Sequence, residues 1–234
     1  MKRILIAGAL ALAAGGQALA ADLPQPAPPP PRAPATYVPV PAPVFTWTGI
    51  YVGINGGYAF GTSSWNEPGF IGGPTGNFST DGFLVGGTLG GNYQWGQFVL
   101  GIEGDGDWTN LNGTTTTACF AGCETKSDWL ATVRGRAGYA FDRILVYGTG
   151  GAAFGNLQAA AGVLPFSSST QTGWTAGGGV EFALTPNLTA KVEYLYVDLG
   201  SQSCAVGNCS NSGNPTSVSL TENVVRAGIN YKFW

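Results

Sequence analysis

Apolar residues alternate with small or polar residues along most of the chain beyond residue 47. The first alternating segment places Ile50, Val52 and Ile54 on one face, and Tyr51 and Asn55 on the other. A period of two indicates a β-strand, because successive side chains of a strand point to opposite sides. Eight such segments occur, at about residues 48–60, 82–93, 98–108, 128–139, 144–156, 174–184, 188–199 and 218–233.

The fifth segment is the one whose facing the sequence leaves open. Ile144 and Val146 compete with Leu145 and Tyr147 for its apolar side. Strands rich in glycine specify their register weakly, so either pair could face outward.

Short and long connections alternate between the segments. Short turns are predicted at 95–97, 141–143 and 185–187, and long loops at 61–81, 109–127, 157–173 and 200–217. This arrangement predicts an all-β fold, an eight-stranded antiparallel up-and-down transmembrane β-barrel. In such barrels the short turns face the periplasm and the long loops face outside.

The composition favours the same fold. Charged residues make up 10% of the chain and 38 of its 234 residues are glycine, whereas soluble domains carry about 25% charged residues. The longest uncharged stretch, 144–180, is too rich in glycine for a membrane helix. A barrel is the other structure that pairs all backbone groups inside lipid.

The N-terminal region predicts export. Lys2 and Arg3 precede an apolar run, and Ala18-Leu19-Ala20 has the small-x-small form that signal peptidase cleaves. Ten of the fifteen prolines lie within 24–43, a composition typical of extended polyproline II. We therefore predict a signal peptide over 1–20, a Pro-rich periplasmic leader over 21–46 and the outer-membrane barrel over 47–234. The leader is either a spacer that reaches the cell wall or a solvated segment without a partner.

Net charge and cysteines narrow the possible partners. Loss of Lys2 and Arg3 from the ten basic residues leaves eight against thirteen acidic ones, a net charge of −5, so no nucleic-acid partner is expected. Cys119 is close to Cys123, and Cys204 is close to Cys209. In an oxidising envelope these two pairs are predicted to form disulfides in the long loops.

Charged residues on the face opposite the apolar one are the main candidates for chemistry. They are Glu103, Asp105, Asp107, Arg134, Arg136, Glu181, Lys191, Glu193, Arg226 and Lys232. An eight-stranded interior has room only for side chains, so these charges form either a salt-bridged plug or, less favourably, a charged conduction path. A turn centred on Pro186 places Glu181 opposite Lys191, and we expect those two side chains to pair.

Other site interpretations are weaker. The carboxylates of Glu103, Asp105 and Asp107 could bind Ca²⁺, but the spacing does not complete an EF-hand and neutralisation by arginine is favoured. Gly148-x-Gly150 has no following helix or acidic residue of a dinucleotide site. The chain contains no histidine, the usual general base. We therefore expect no catalytic residue, no cofactor and no metal.

Several motifs resemble the alphaproteobacterial outer-membrane β-barrel family. They are Trp47-Thr-Gly-Ile-Tyr-Val-Gly, Glu103-Gly-Asp-Gly-Asp-Trp, Val133-Arg-Gly-Arg-Ala-Gly-Tyr-Ala-Phe-Asp, Val146-Tyr-Gly-Thr-Gly-Gly and Lys191-Val-Glu-Tyr-Leu-Tyr-Val-Asp-Leu-Gly. The resemblance covers the whole predicted barrel. It implies an abundant surface antigen of the porin-family or immunogenic outer-membrane type, related in build to opacity and OmpA-type barrels.

The resemblance also implies a C-terminal assembly signal that ends on an outward-facing aromatic residue. Tyr231, Phe233 and Trp234 are the candidates, and Trp234 lies one residue beyond the outward register. The expected partners are outer-membrane lipid, lipopolysaccharide and the outer-membrane assembly machinery.

Two roles remain open from the sequence. One is a structural envelope barrel with at most a small pore. The other is a surface adhesin or ligand-binding barrel whose loops, with the aromatic residues Trp65, Phe70, Phe78 and Phe120, contact host or phage surfaces. Such aromatic residues can equally anchor lipid headgroups.

Overall fold

A computed structural model describes residues 45–66, 76–115, 122–161, 167–204 and 216–233. Eight antiparallel strands form a closed barrel in which each strand pairs with the next and the last pairs with the first. The strands are β1 (Gly49–Asn66), β2 (Gly76–Trp95), β3 (Phe98–Thr115), β4 (Cys123–Phe141), β5 (Ile144–Ala161), β6 (Ser167–Ala183), β7 (Leu188–Cys204) and β8 (Thr216–Lys232). The predicted eight-stranded up-and-down barrel is confirmed.

The alternation seen in the sequence separates the two surfaces of the barrel. Outward positions carry exposed apolar side chains such as Ile54, Leu89 and Ile102, whereas inward positions are buried. On β5, Leu145 and Tyr147 are buried while Ile144 and Val146 are exposed, which decides the facing that the sequence left open.

Aromatic side chains border the outer apolar surface on both sides. The ring near the short turns contains Tyr93, Trp95, Phe98, Phe141, Tyr231 and Phe233, and the opposite ring contains Phe60, Phe83, Trp108 and Trp174. Along β3 the rings are separated by the distance from Phe98 to Trp108. Ten residues of a tilted strand span about 25 Å, the height of the apolar band of a membrane barrel.

Every strand continues beyond the predicted loop boundaries. The connections at the end with long loops are 67–75, 116–122, 162–166 and 205–215 rather than 61–81, 109–127, 157–173 and 200–217. We call this end the loop end, and the opposite end, with turns at 96–97, 142–143 and 184–187, the turn end. The predicted loop lengths were wrong because polar outward residues indicated loop while backbone pairing continues beneath them.

The extension, here called the collar, is polar on its outer surface, whereas the part of the barrel between the two aromatic rings is apolar there. Its outward residues, among them Thr62, Asn77, Ser79, Ser201 and Ser219, are polar and wholly or partly exposed. Its inward residues include an apolar cluster with Trp65, Leu111, Leu157, Leu199 and Leu220, beside buried hydroxyl groups such as those of Ser63 and Thr125. Trp65 is therefore not a loop residue, and Phe78 packs against the same cluster.

A short segment before β1 covers the turn end. Trp47 is buried and packs with Leu145 and Tyr147, and Phe45 lies against this cluster. The Trp47 indole N–H donates to the Asp142 carbonyl oxygen at 3.1 Å, and its backbone N–H donates to the Gln94 side chain at 2.7 Å.

Several predictions concern residues outside the described ranges. They are the signal peptide, the leader up to residue 44, Phe70, Cys119, Phe120, Cys209 and Trp234. Cys123 and Cys204 lie at strand ends rather than within loops, and the two disulfides stay predictions. The ranges that the structure describes contain no helix long and apolar enough to cross a membrane.

Candidate functional site: the charged layer inside the barrel

All ten charged residues expected on the inner face are buried inside the barrel. Glycines on neighbouring strands make room for most of these long side chains. Direct register partners include Glu103 with Gly90, Asp107 with Gly86, Arg134 with Gly151, Arg136 with Gly101, Lys191 with Gly228, Glu193 with Gly179 and Arg226 with Gly57. An eight-stranded interior is only wide enough for side chains to fill it. Each large charged side chain therefore needs a neighbouring residue that has no side chain.

Arg134 joins three strands through its guanidinium group. Its Nη2 donates to Glu103 Oε1 at 2.6 Å and to Asp105 Oδ2 at 2.7 Å, and its Nη1 donates to Glu193 Oε1 at 3.0 Å. The remaining nitrogen, Nε, donates to Thr132 Oγ1 at 2.8 Å. Arg134 thus has a partner at each guanidinium nitrogen, which offsets much of the cost of burying the charge.

Arg226 forms the same kind of junction from β8. Its Nη1 lies 2.8 Å from Asp105 Oδ1 and 2.9 Å from Asp107 Oδ2. Its Nε donates to Glu193 Oε2 at 2.8 Å. Asp105 and Glu193 therefore each bind both arginines, Arg134 and Arg226, and the four residues form one ion-pair network.

Arg136 binds the part of the layer nearer the turn end. Its Nη2 donates to Glu181 Oε2 at 2.7 Å, its Nη1 donates to the Tyr51 hydroxyl at 2.9 Å, and its guanidinium carbon lies 3.9 Å from the centre of the Tyr147 ring. The Tyr51 hydroxyl in turn donates to Glu103 Oε2 at 2.7 Å. Cation–π contact and hydrogen bonds together hold this charge in place.

The expected pairing of Glu181 with Lys191 was wrong, although the register that suggested it is right. The two residues are direct partners between β6 and β7. The Lys191 ammonium instead contacts Glu103 Oε1 and Oε2 at 2.9 and 2.8 Å, and Glu181 pairs with Arg136. Long side chains reach across the lumen, so opposition in the sheet does not determine the ionic partner.

Lys232 is separate from this layer. Its ammonium donates to the Thr46 carbonyl oxygen and lies 4.4 Å from the centre of the Phe45 ring, at the turn end of the barrel. We use the name charged layer for the other nine residues: Glu103, Asp105, Asp107, Arg134, Arg136, Glu181, Lys191, Glu193 and Arg226.

One buried acidic residue was not predicted as a site residue from the sequence. Glu222 on β8 is 1% exposed and faces the interior. It shares the even-numbered inward face of Arg226, Asn230 and Lys232, and this parity was the available signal. Tyr51 and Tyr147, which hydrogen-bond acidic residues of the layer, were also not predicted as site residues.

The arrangement favours neutralisation by arginine over metal binding. Asp105 and Asp107 both contact Arg226, and Glu103 contacts Arg134 and Lys191. Among the residues that the structure describes, no three His, Cys, Asp or Glu side chains form a group suited to a metal ion.

The outward-facing aromatic residues at the end of β8, Tyr231 and Phe233, are exposed, with ring centres 5.4 Å apart.

Comparison with known proteins identifies the family. The model of the outer membrane protein beta-barrel domain matches residues 33–233. The chain is 37% identical to the 31 kDa outer-membrane immunogenic protein of Brucella melitensis, over 81% of this chain and 85% of that protein. It is 34% identical to a 22 kDa outer membrane protein of Rhizobium leguminosarum bv. viciae, over 80% of this chain and 79% of that protein. Among solved structures, Neisserial surface protein A aligns with a TM-score of 0.46 and 19% identity, over 80% of this chain and 98% of that one. The chain therefore belongs to the outer membrane protein β-barrel domain family and is an outer-membrane protein.

Proposed function

We propose that the protein is a structural barrel of the outer membrane whose interior is closed to ions and solutes. The observation that carries this proposal is the charged layer, in which Arg134 and Arg226 bind carboxylates from β3 and β7. Ion pairs between strands that are not neighbours span the lumen. Such a layer both closes the barrel and braces its wall.

Two apolar groups support closure on either side of the charged layer. The collar contains the cluster that includes Leu111, Leu157 and Leu220, and the turn end contains the cluster around Trp47. Water or ions that cross the barrel would have to pass both apolar groups as well as the paired charges.

A non-enzymatic role agrees with the names of the two relatives, which describe outer-membrane proteins rather than enzymes.

Single-channel recording in planar lipid bilayers tests this proposal. The purified full-length mature protein should insert without producing steady conductance steps. Arg226→Ala should produce measurable conductance, because it removes a side chain that joins β8 to β3 and β7. Lys126→Ala is a matched control, since this basic side chain is 39% exposed and lies in the collar. A stable open level in the wild type would overturn the proposal.

A second candidate function, contact with other cell or phage surfaces, is favoured by the collar. In the collar the strands continue, with a polar outer surface, beyond the loop-side aromatic residues Phe60 and Trp108, so the strand ends lie outside the apolar band. Cells that express the wild type can be compared with cells in which connections 67–75 and 205–215 are replaced by short turns. Equal binding of the two strains to cultured host cells and to phage would reject this role, provided that both proteins reach the surface.

A further inference from the structure

Glu222 lies in the interior of the collar beside its apolar cluster, and no ion pair joins it to another residue that the structure describes. Its register partners are Gly61 on β1 and Val197 on β7, and the inward residues next to it on β8 are Leu220 and Val224. The side chain is 1% exposed, and its Oε1 atom has no hydrogen-bond partner among the residues that the structure describes.

The charged groups of the other strands do not reach Glu222. Inward-facing charged residues occur on β3 (Glu103, Asp105 and Asp107), β4 (Arg134 and Arg136), β6 (Glu181), β7 (Lys191 and Glu193) and β8 (Arg226 and Lys232), and the inward tyrosines Tyr51 and Tyr147 contact the charged layer. The inner faces of β1, β2 and β5 carry no charged side chain in their described residues. Arg226, the nearest cation along β8, lies four residues away, about 13 Å at the rise of an extended strand, and its guanidinium group is bound to Asp105, Asp107 and Glu193. No charged side chain in the described part of the chain lies close enough to act on the Glu222 carboxyl group.

The balance of buried charges gives an independent reason to regard Glu222 as neutral. In the described part of the chain, five inward bases, Arg134, Arg136, Lys191, Arg226 and Lys232, oppose five inward acids, Glu103, Asp105, Asp107, Glu181 and Glu193. Glu222 is the sixth acid, so an ionised Glu222 would leave the interior with one uncompensated negative charge. An isolated carboxylate in an apolar interior is unfavourable, and such groups take up a proton instead.

We propose that Glu222 is a proton-binding site that keeps the apolar interior of the collar dry, so that loss of its proton loosens the loop end of the barrel. The sign of the pH effect follows from the neutral form being the stable one. The stabilisation is complete at acidic pH and is lost as rising pH removes the proton.

Infrared spectroscopy of the full-length mature protein in lipid vesicles tests the proposal directly. At about pH 5.5, exposed aspartates and glutamates are ionised, so a carbonyl stretching band of a protonated carboxyl group reports buried acids. We expect Glu222 to contribute to this band in the wild type, so that Glu222→Gln lowers the band intensity and Glu222→Asp shifts that contribution. Glu124→Gln is the matched control, because Glu124 is a partly exposed collar residue that pairs with Lys126, and it should retain the band.

Urea unfolding across a pH series provides the second readout. The midpoint of the wild type should fall as the pH rises above neutrality, whereas the midpoint of Glu222→Gln should fall less. Absence of the protonated-carboxyl band in the wild type would overturn the proposal even if the variants fail to fold. Unchanged intensity of this band in a folded Glu222→Gln, or equal pH dependence of the two midpoints, would also overturn it.

Discussion

Lys191 shows how a single buried charge is stabilised in this barrel. Its ammonium lies within 2.9 Å of both carboxylate oxygens of Glu103 on β3, although its direct register partner on β6 is Glu181. Removing one member of a buried ion pair leaves the other charge without compensation, and this cost exceeds the net contribution of the pair.

Lys191→Met should lower the free energy of unfolding by about 3–5 kcal/mol, because Glu103 then keeps its charge with fewer donors. In double-mutant cycles measured by urea unfolding in lipid vesicles, Lys191→Met should couple more strongly to Glu103→Gln than to Glu181→Gln. Stronger coupling to Glu181 would show that the lysine side chain lies along the sheet rather than across the lumen.

Inward position was predictable at the residue scale, but ionic partners were not. Alternation places Glu181 and Lys191 on the inner face, and the turn at Pro186 gives their register. Which carboxylate a lysine or arginine reaches depends on the closure of the barrel, because Arg226 on β8 binds residues of β3. Local sequence contains no direct signal for that distance.

At the scale of strands, glycines distinguish the inner surface from the outer one. A Cβ atom on Gly57 would lie 2.2 Å from the Val225 carbonyl oxygen and 2.6 Å from Arg226 Cβ, whereas a Cβ atom on the outward Gly106 would meet nothing within 4 Å. Gly57 therefore provides the space in which the Arg226 side chain begins, and Gly106 does not have such a role.

Gly57→Ala should destabilise the barrel by about 1–3 kcal/mol or more, since backbone and Arg226 would have to move. Gly106→Ala is the matched substitution on the lipid side, and it should be neutral or stabilising by up to about 1 kcal/mol. Urea midpoints of both variants check this expectation. A comparable loss in both would indicate that glycine matters here through strand flexibility rather than space.

The segment before β1 stabilises the turn end. Trp47→Ala removes a buried indole and its hydrogen bond to Asp142, so we expect a loss of about 3–5 kcal/mol in unfolding free energy. Trp47→Phe keeps an aromatic ring and should lose distinctly less. If the two variants unfold at the same urea concentration, ring packing at this position is unimportant.

Strand number and strand facing were predictable, whereas strand length was not. In the collar the outward residues Ser201 and Ser203 indicate loop, yet backbone pairing with Ser219 and Ser217 on β8 continues. The relevant signal was the inward series Leu199, Val218 and Leu220, whose burial shows that the alternation continues with reversed polarity. Polarity of the outer face follows the surrounding solvent, and lipid ends before the strands do.

At the scale of the whole molecule, the barrel has three successive interiors. The turn end is apolar around Trp47, the membrane band contains the charged layer, and the collar is apolar around Leu111 and Leu220. The outer surface changes from apolar to polar where the inner surface changes from charged to apolar. This inversion explains how a chain with 10% charged residues buries many of them and still presents a polar surface outside the lipid.

NMR of the arginine guanidinium groups in lipid nanodiscs shows whether the barrel interior is closed and its charges are paired. Arg134, Arg136 and Arg226 are buried and hydrogen-bonded, while Arg143 at a short turn is exposed and serves as an internal reference. We expect separate, slowly exchanging guanidinium proton signals for the three buried arginines and averaged, rapidly exchanging signals for Arg143. Rapid exchange at the buried arginines, equal to that of Arg143, would show that the interior is filled with water and that the barrel is not closed.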